Sequence, residues 1–122
     1  MAETESFKKL EVWEKGIDLV VAAYEISKKL PETEKFGISS QMQRAAVSVP
    51  ANIAEGWSRS HTKEFIQFLN IAIGSLAELQ TFIEIVKKLR YINTEGVKEI
   101  EIKIEELQKM LYSLVKSLVS RL

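Results

Sequence analysis

Apolar residues recur along this chain at intervals of three and four, in four runs separated by short polar breaks. That spacing lines one side of an α-helix; a half-buried strand would alternate. In the first run Trp13, Ile17, Val20, Tyr24 and Ser27 form one line, and Val12, Leu19, Ala23, Ile26 and Leu30 form a second beside it. The doubled stripe is wide for a helix with a single core to face. It stops at Pro31, whose ring does not easily continue a helix.

The break PETEKFGIS leads into the second run, where Ser39 or Ser40 can cap and Gln43 completes a capping box with Ser40. Met42, Ala46, Val49, Ile53 and Trp57 share its core side, with Pro50 at the edge. The turn SRSHT offers caps at Ser60 and Thr62 to a third run. Phe65, Phe68, Leu69, Ala72, Leu76, Leu79, Ile83 and Val86 line that run. It closes on Lys87, Lys88 and Arg90, cations that complement a helix C-terminus. After YINTEG, with Thr94 as cap, Val97, Ile100, Ile104, Leu107, Leu111, Leu114 and Leu118 repeat in heptads. Helices are predicted over about 10–30, 39–58, 62–90 and 95–121. Short connections make successive helices antiparallel, so the pattern predicts one domain over residues 1–122, an all-α, up-down-up-down four-helix bundle.

Opposite its core side, the second run carries Gln41, Arg44, Ser48, Asn52, Glu55 and Arg59. They stay in line only if the helix continues through Pro50. The proline removes a backbone donor and crowds the Ala46 carbonyl, at about 3 kcal/mol in a helix interior. Ser48 and Asn52 are close enough to help satisfy the freed carbonyls. Two arrangements fit: a helix kinked at Pro50 that carries on, or a break with Ser48 capping a new helix. The unbroken polar line favours the kink.

Charge is where this region departs from the rest. The whole chain is 28% charged, but from Gln41 to Ala54 the only charge is Arg44, and residues 65–77 carry none. The outer side of that third run offers Gln67, Asn70, Gly74 and Ala77. Small, neutral side chains away from the core suit a surface that meets another subunit, so a homo-oligomer is expected. Two readings of the charged residues stay open. Glu55 precedes Arg59 by four and can pair with it as part of a structural network. Alternatively, Arg44 and Arg59, repeated by symmetry, bind phosphates. Arg44, Ser48, Asn52, Glu55 and Arg59 are therefore candidate nucleic-acid or subunit contacts.

Catalytic chemistry is sparse. The chain has no cysteine, which removes disulfides, thiolate zinc sites and cysteine nucleophiles and suits a reducing cytoplasm. A di-iron bundle needs Glu-x-x-His pairs, but the one histidine, His61, has Ser58 three residues before it. A His61–Ser58 or His61–Ser60 nucleophile pair lacks a group to orient the ring. No phosphate loop, dinucleotide fingerprint or HExxH motif is present. A non-enzyme without cofactor, metal or small-molecule substrate is expected. Seventeen basic residues balance seventeen acidic ones, so no global field points to nucleic acid. The N-terminal MAETESFKKLEVWEK lacks the apolar stretch of a signal peptide, and LVVAAY is too short to cross a bilayer. A cytoplasmic chain with no membrane partner is expected.

The runs QMQRAAVSVPANIAEGWSR (41–59) and FIQFLNIAIGSLAEL (65–79), together with LEVWEKG and FGISSQMQR, carry a resemblance. They are similar to the signature of four-helix bundle proteins encoded in intervening sequences of bacterial 23S rRNA genes. The likeness covers about residues 7–92. It implies a four-helix bundle that assembles as a ring, a pentamer. A related branch, the accessory proteins of diversity-generating retroelements, binds nucleic acid and a reverse transcriptase. The resemblance thus implies RNA, DNA or a reverse transcriptase as partners. Arg44, Ser48, Asn52, Glu55, Gly56 and Arg59 match signature positions, and no catalytic residue comes with them.

Overall fold

Each of the four apolar runs folds as one helix. The computed structural model describes residues 4–122, with side chains from Phe7 onward. The reading of the first residues as lacking a signal peptide falls partly outside that range. A 3-10 helix at Thr4–Lys9 precedes α1 (Glu11–Ser27), α2 (Ile38–Trp57), α3 (Thr62–Lys88) and α4 (Lys98–Val119). Single 3-10 turns at Glu32–Glu34 and Glu95–Val97 lie between, and the described residues contain no strand.

α1 packs on α2, α2 on α3, α3 on α4 and α4 back on α1, which makes a four-helix bundle. Neighbouring helices pair rising numbers with falling ones. Gly16 meets Pro50 while Ser27 meets Gln43; Gly56 meets Phe65 while Ser48 meets Ser75; Gln80 meets Gln108 while Lys87 meets Glu101. Leu19, Met42, Ile53, Leu76, Ile83, Ile104 and Leu107 are fully enclosed. Burying each such side chain contributes about 1.5–3 kcal/mol. Of the two lines on α1, the second (Val12, Leu19, Ala23, Ile26, Leu30) enters the core. The first stays largely at the surface, with Ile17 and Tyr24 exposed, Trp13 and Val20 half-buried and only Ser27 buried.

α3 is the one helix among the described residues long and apolar enough, by length and composition, to cross a membrane. Gln67 and Asn70 interrupt its apolar run without adding charge, which hides that length in the sequence. In the bundle Phe65, Leu69, Ala72, Leu76, Leu79, Ile83 and Val86 are all buried in the core.

The helix ends differ from expectation. α1 stops at Ser27 because the Lys29 and Leu30 amides bond carbonyls three residues back, tightening the last turn. No serine side chain caps α2; Gly37 occupies that position, and the Glu34 carboxylate accepts the Ile38 amide at 3.4 Å. Gln43 makes no capping box with Ser40: its amide donates to the Ser27 hydroxyl at 3.0 Å, tying α2 to α1. α3 begins at Thr62 without a side-chain cap. Asn93, not Thr94, caps the turn before α4, accepting the Gly96 amide at 2.8 Å. α3 closes with Arg90 in the left-handed region at φ 62°, its amide bonded to the Lys87 carbonyl and that of Tyr91 to Val86. That pairing is the Schellman stop, usually built with glycine.

α2 runs unbroken through Pro50, so the alternative of two helices does not hold. Pro50 is buried against α1, where a Cβ on Gly16 would lie 3.1 Å from the proline Cβ. The missing side chain at Gly16 is what lets the two helices approach there. Asn52 does not serve the Ala46 carbonyl; its amide donates to the carbonyl of Ser48 at 2.7 Å and to its hydroxyl at 2.8 Å.

Candidate contact face on the second and third helices

Two apolar stripes that bury the inner sides of α2 and α3 leave their outer sides together on one surface. On α2, Gln41, Arg44, Val47, Ala51 and Glu55 are exposed, flanked by half-buried Ser48 and Asn52. On α3, Gln67, Asn70, Gly74 and Ala77 are all exposed, as is Ile71 at 50%. Nothing lies within 4 Å of where a Gly74 side chain would begin. The helices pack tightly at Gly56, where a Cβ would sit 2.7 Å from the Phe68 Cβ.

The polar line divides into three parts. Its middle is committed inside the chain: Ser48 takes the Asn52 amide, and its hydroxyl lies 2.8 Å from that of buried Ser75, which also donates to the Ile71 carbonyl. Its C-terminal end is committed too. Arg59 pairs with Glu55 at 2.9 Å, approaches Glu64 at 4.0 Å and lies 5.1 Å from the Phe68 ring centroid. Exposed pairs of this kind are worth little in stability, but they hold the guanidinium in place. Arg44, near the N-terminal end, has no ion pair among the described residues. It stands between a groove shared with Tyr24 and Val47 and another shared with Phe36, Gln41 and Glu78. The structure therefore separates the two arginines that the sequence grouped.

Two further pairs link the far end of the bundle. Lys87 bonds Glu101 at 2.9 Å and Glu84 at 3.1 Å, which raises its pKa above the usual lysine value. Tyr91 donates its hydroxyl to Glu34 at 2.8 Å, which raises the phenol above its usual range. Among the described residues no group of three or more His, Asp or Glu is placed to hold a metal ion. Sequence reasoning missed Phe36, which is 90% exposed beside Gly37. An aromatic in an otherwise charged loop was the available signal.

The sequence matches the model of the 23S rRNA-intervening sequence protein family over residues 8–113. No curated protein matches it. A crystal structure of a protein of unknown function from the S23 ribosomal protein family of Bacteroides thetaiotaomicron superposes with TM-score 0.80 at 30% identity. That likeness covers 86% of this chain and 98% of the other. The family model spans α1 to α3, the whole of the α2–α3 face and α4 as far as Ser113, and on that match the chain belongs to the 23S rRNA-intervening sequence protein family.

Proposed function

We propose that this chain is a non-catalytic bundle that assembles with copies of itself through the outer face of α2 and α3, and that Arg44 presents a charge to a nucleic-acid or ribonucleoprotein partner. The scarcity of charge on that face, and its absence from the α3 half, carries the reading. At the chain's 28% average, residues 65–77 would hold about four charges, and they hold none. A solvated helix exterior gains solubility from charge, whereas an interface is depleted of it. Gly74, Ala51 and Ala77 let a second backbone come near, and Gln67 and Asn70 can exchange amide hydrogen bonds across the contact. The resemblance to ring-forming relatives supports a closed assembly of five copies, with a mass of about 70 kDa from a 13.9 kDa chain. The absence of cysteine suits work in the cytoplasm.

Arg44 supports the partner contact because it alone on the polar line keeps an uncommitted charge. In a ring, one such arginine per copy would make a repeated basic site on a chain of zero net charge. The commitment of Arg59 to Glu55 favours a second reading, a protein-only scaffold. Light scattering and RNA or DNA binding across a salt series separate the two. Phosphate contacts weaken steeply with salt. Binding that disappears in Arg44→Ala while assembly persists supports the nucleic-acid role; an assembled protein that never binds supports the scaffold.

A further inference from the structure

Phe36 lies 90% exposed in the α1–α2 connection, the most exposed large apolar side chain among the described residues. Its loop is held firmly. Glu34 accepts the Tyr91 hydroxyl at 2.8 Å and the Ile38 amide at 3.4 Å, and its carbonyl takes the Gly37 amide at 3.0 Å. A loop held in this way needs little reordering when its aromatic docks, and the ring buries about 150–250 Å² when covered.

On another side of the molecule, α1 and α4 enclose a groove of about 350 Å³. Val21, Ala22, Ile26 and Ile100 supply its apolar lining. Its rim holds Asp18, Glu25 and Glu99 against Lys29 and Lys103, an excess of one negative charge. Asp18 and Glu99 have no ion-pair partner among the described residues, and neither has Lys35, whose ammonium sits 5.7 Å from the Phe36 ring centroid. The projection thus carries an unpaired cation where the groove offers unpaired carboxylates.

Height along the bundle also agrees. Glu34, two residues before Phe36, bonds Tyr91, and the groove reaches Lys29 and Gly96, so both features lie toward the same end. A cyclic assembly about an axis parallel to the helices requires a projection and its socket at equal height on different sides.

We infer that Phe36 of one copy inserts into the α1–α4 groove of the next, with Lys35 facing Asp18 or Glu99. This rests on the self-assembly proposed above and names the contact that gives it direction. The contact is heterologous, so it propagates around a ring and does not stop at a dimer.

A chain without cysteine makes the test clean. Lys35→Cys and Asp18→Cys replace exposed residues that the contact brings together and leave Phe36 and the apolar lining intact, and circular dichroism checks that both variants fold. Mixed and mildly oxidised, the two single variants should give a disulfide-linked pair containing one of each, and the double variant a ladder of linked multimers. Phe36→Ala should weaken association by roughly 30-fold or more. A wild-type monomer in light scattering would remove the self-assembly reading and this inference with it. A wild-type multimer with no mixed crosslink would overturn the Phe36 contact alone. Two outcomes in the variants would do the same: crosslinking of Lys35→Cys only to itself, or a Phe36→Ala variant that assembles normally but loses RNA binding.

Discussion

α2 and α4 bury their inner sides alike and treat water differently. Met42, Val49 and Ile53 on one helix are as enclosed as Ile104, Leu107 and Leu111 on the other. Outside, α4 holds eight charged residues in 22 positions, whereas α2 holds two in 20. The charges of α4 pair along the helix, as Lys109 does with Glu105 at 3.4 Å, and across to neighbours, as Glu106 does with Lys15 at 3.2 Å. α2 instead carries Ser48, Ala51 and Asn52 outward, with a proline and Gly56 in the helix itself. One exterior is densely charged and the other nearly neutral, although the core demands of the two helices are the same.

The largest effects should ignore that difference. Ile53→Ala in α2 and Leu107→Ala in α4 should each cost about 2–5 kcal/mol of unfolding stability by chemical denaturation. A marked inequality would break the equivalence of the two cores. Next comes crowding where α2 meets α3. Gly56→Ala should destabilise by about 1–3 kcal/mol, because its methyl group would lie 2.7 Å from the Phe68 Cβ. Gly74→Ala should move the other way. It enters open space on a helix, so the single chain should gain up to about 1 kcal/mol while assembly weakens. A change that stabilises the fold and loosens the oligomer would sharpen the contrast more than any core variant.

Surface charge should matter least. Arg59→Ala removes an exposed ion pair and a ring contact, and should cost less than about 1 kcal/mol. Lys109→Ala on α4 should stay within about 0.5 kcal/mol. Titration gives a final, small effect. The folded protein raises the pKa of Lys87, chiefly through its bond to Glu101. The protonated form is therefore favoured by folding, and its contribution is complete below the ordinary lysine value of 10.5 and fades as pH climbs through the raised value. Tyr91, raised by Glu34, acts in the same direction above 10.0. Thermal midpoints should fall over that alkaline range, and less steeply in Lys87→Met.

The core was legible because burial follows period. Nearly every residue on the stripes of α2, α3 and α4 lies inside, and only Trp57, Phe68 and Leu114 sit at the edge. α1 was harder, since two apolar lines ran side by side and period alone could not say which faced inward. The continuity of α2 could be argued from its polar line, but the Gly16–Pro50 contact needed the third dimension. Caps were the least legible part. Ser40 and Thr94 had suitable side chains, yet Glu34 and Asn93 took the amides, since a cap depends on the path of the incoming loop. On the candidate face, the Glu55–Arg59 pair followed from spacing. The Ser48–Ser75 bond did not, because it joins residues 27 apart in sequence.

The claim that the α2–α3 face meets another copy is most directly tested by mass. Light scattering behind gel filtration at micromolar concentration should give a multiple of the 13.9 kDa chain mass for the wild type, and 13.9 kDa for a folded Gly74→Arg variant. A wild-type protein that elutes as a 13.9 kDa monomer, or a Gly74→Arg variant that assembles like wild type, would contradict it.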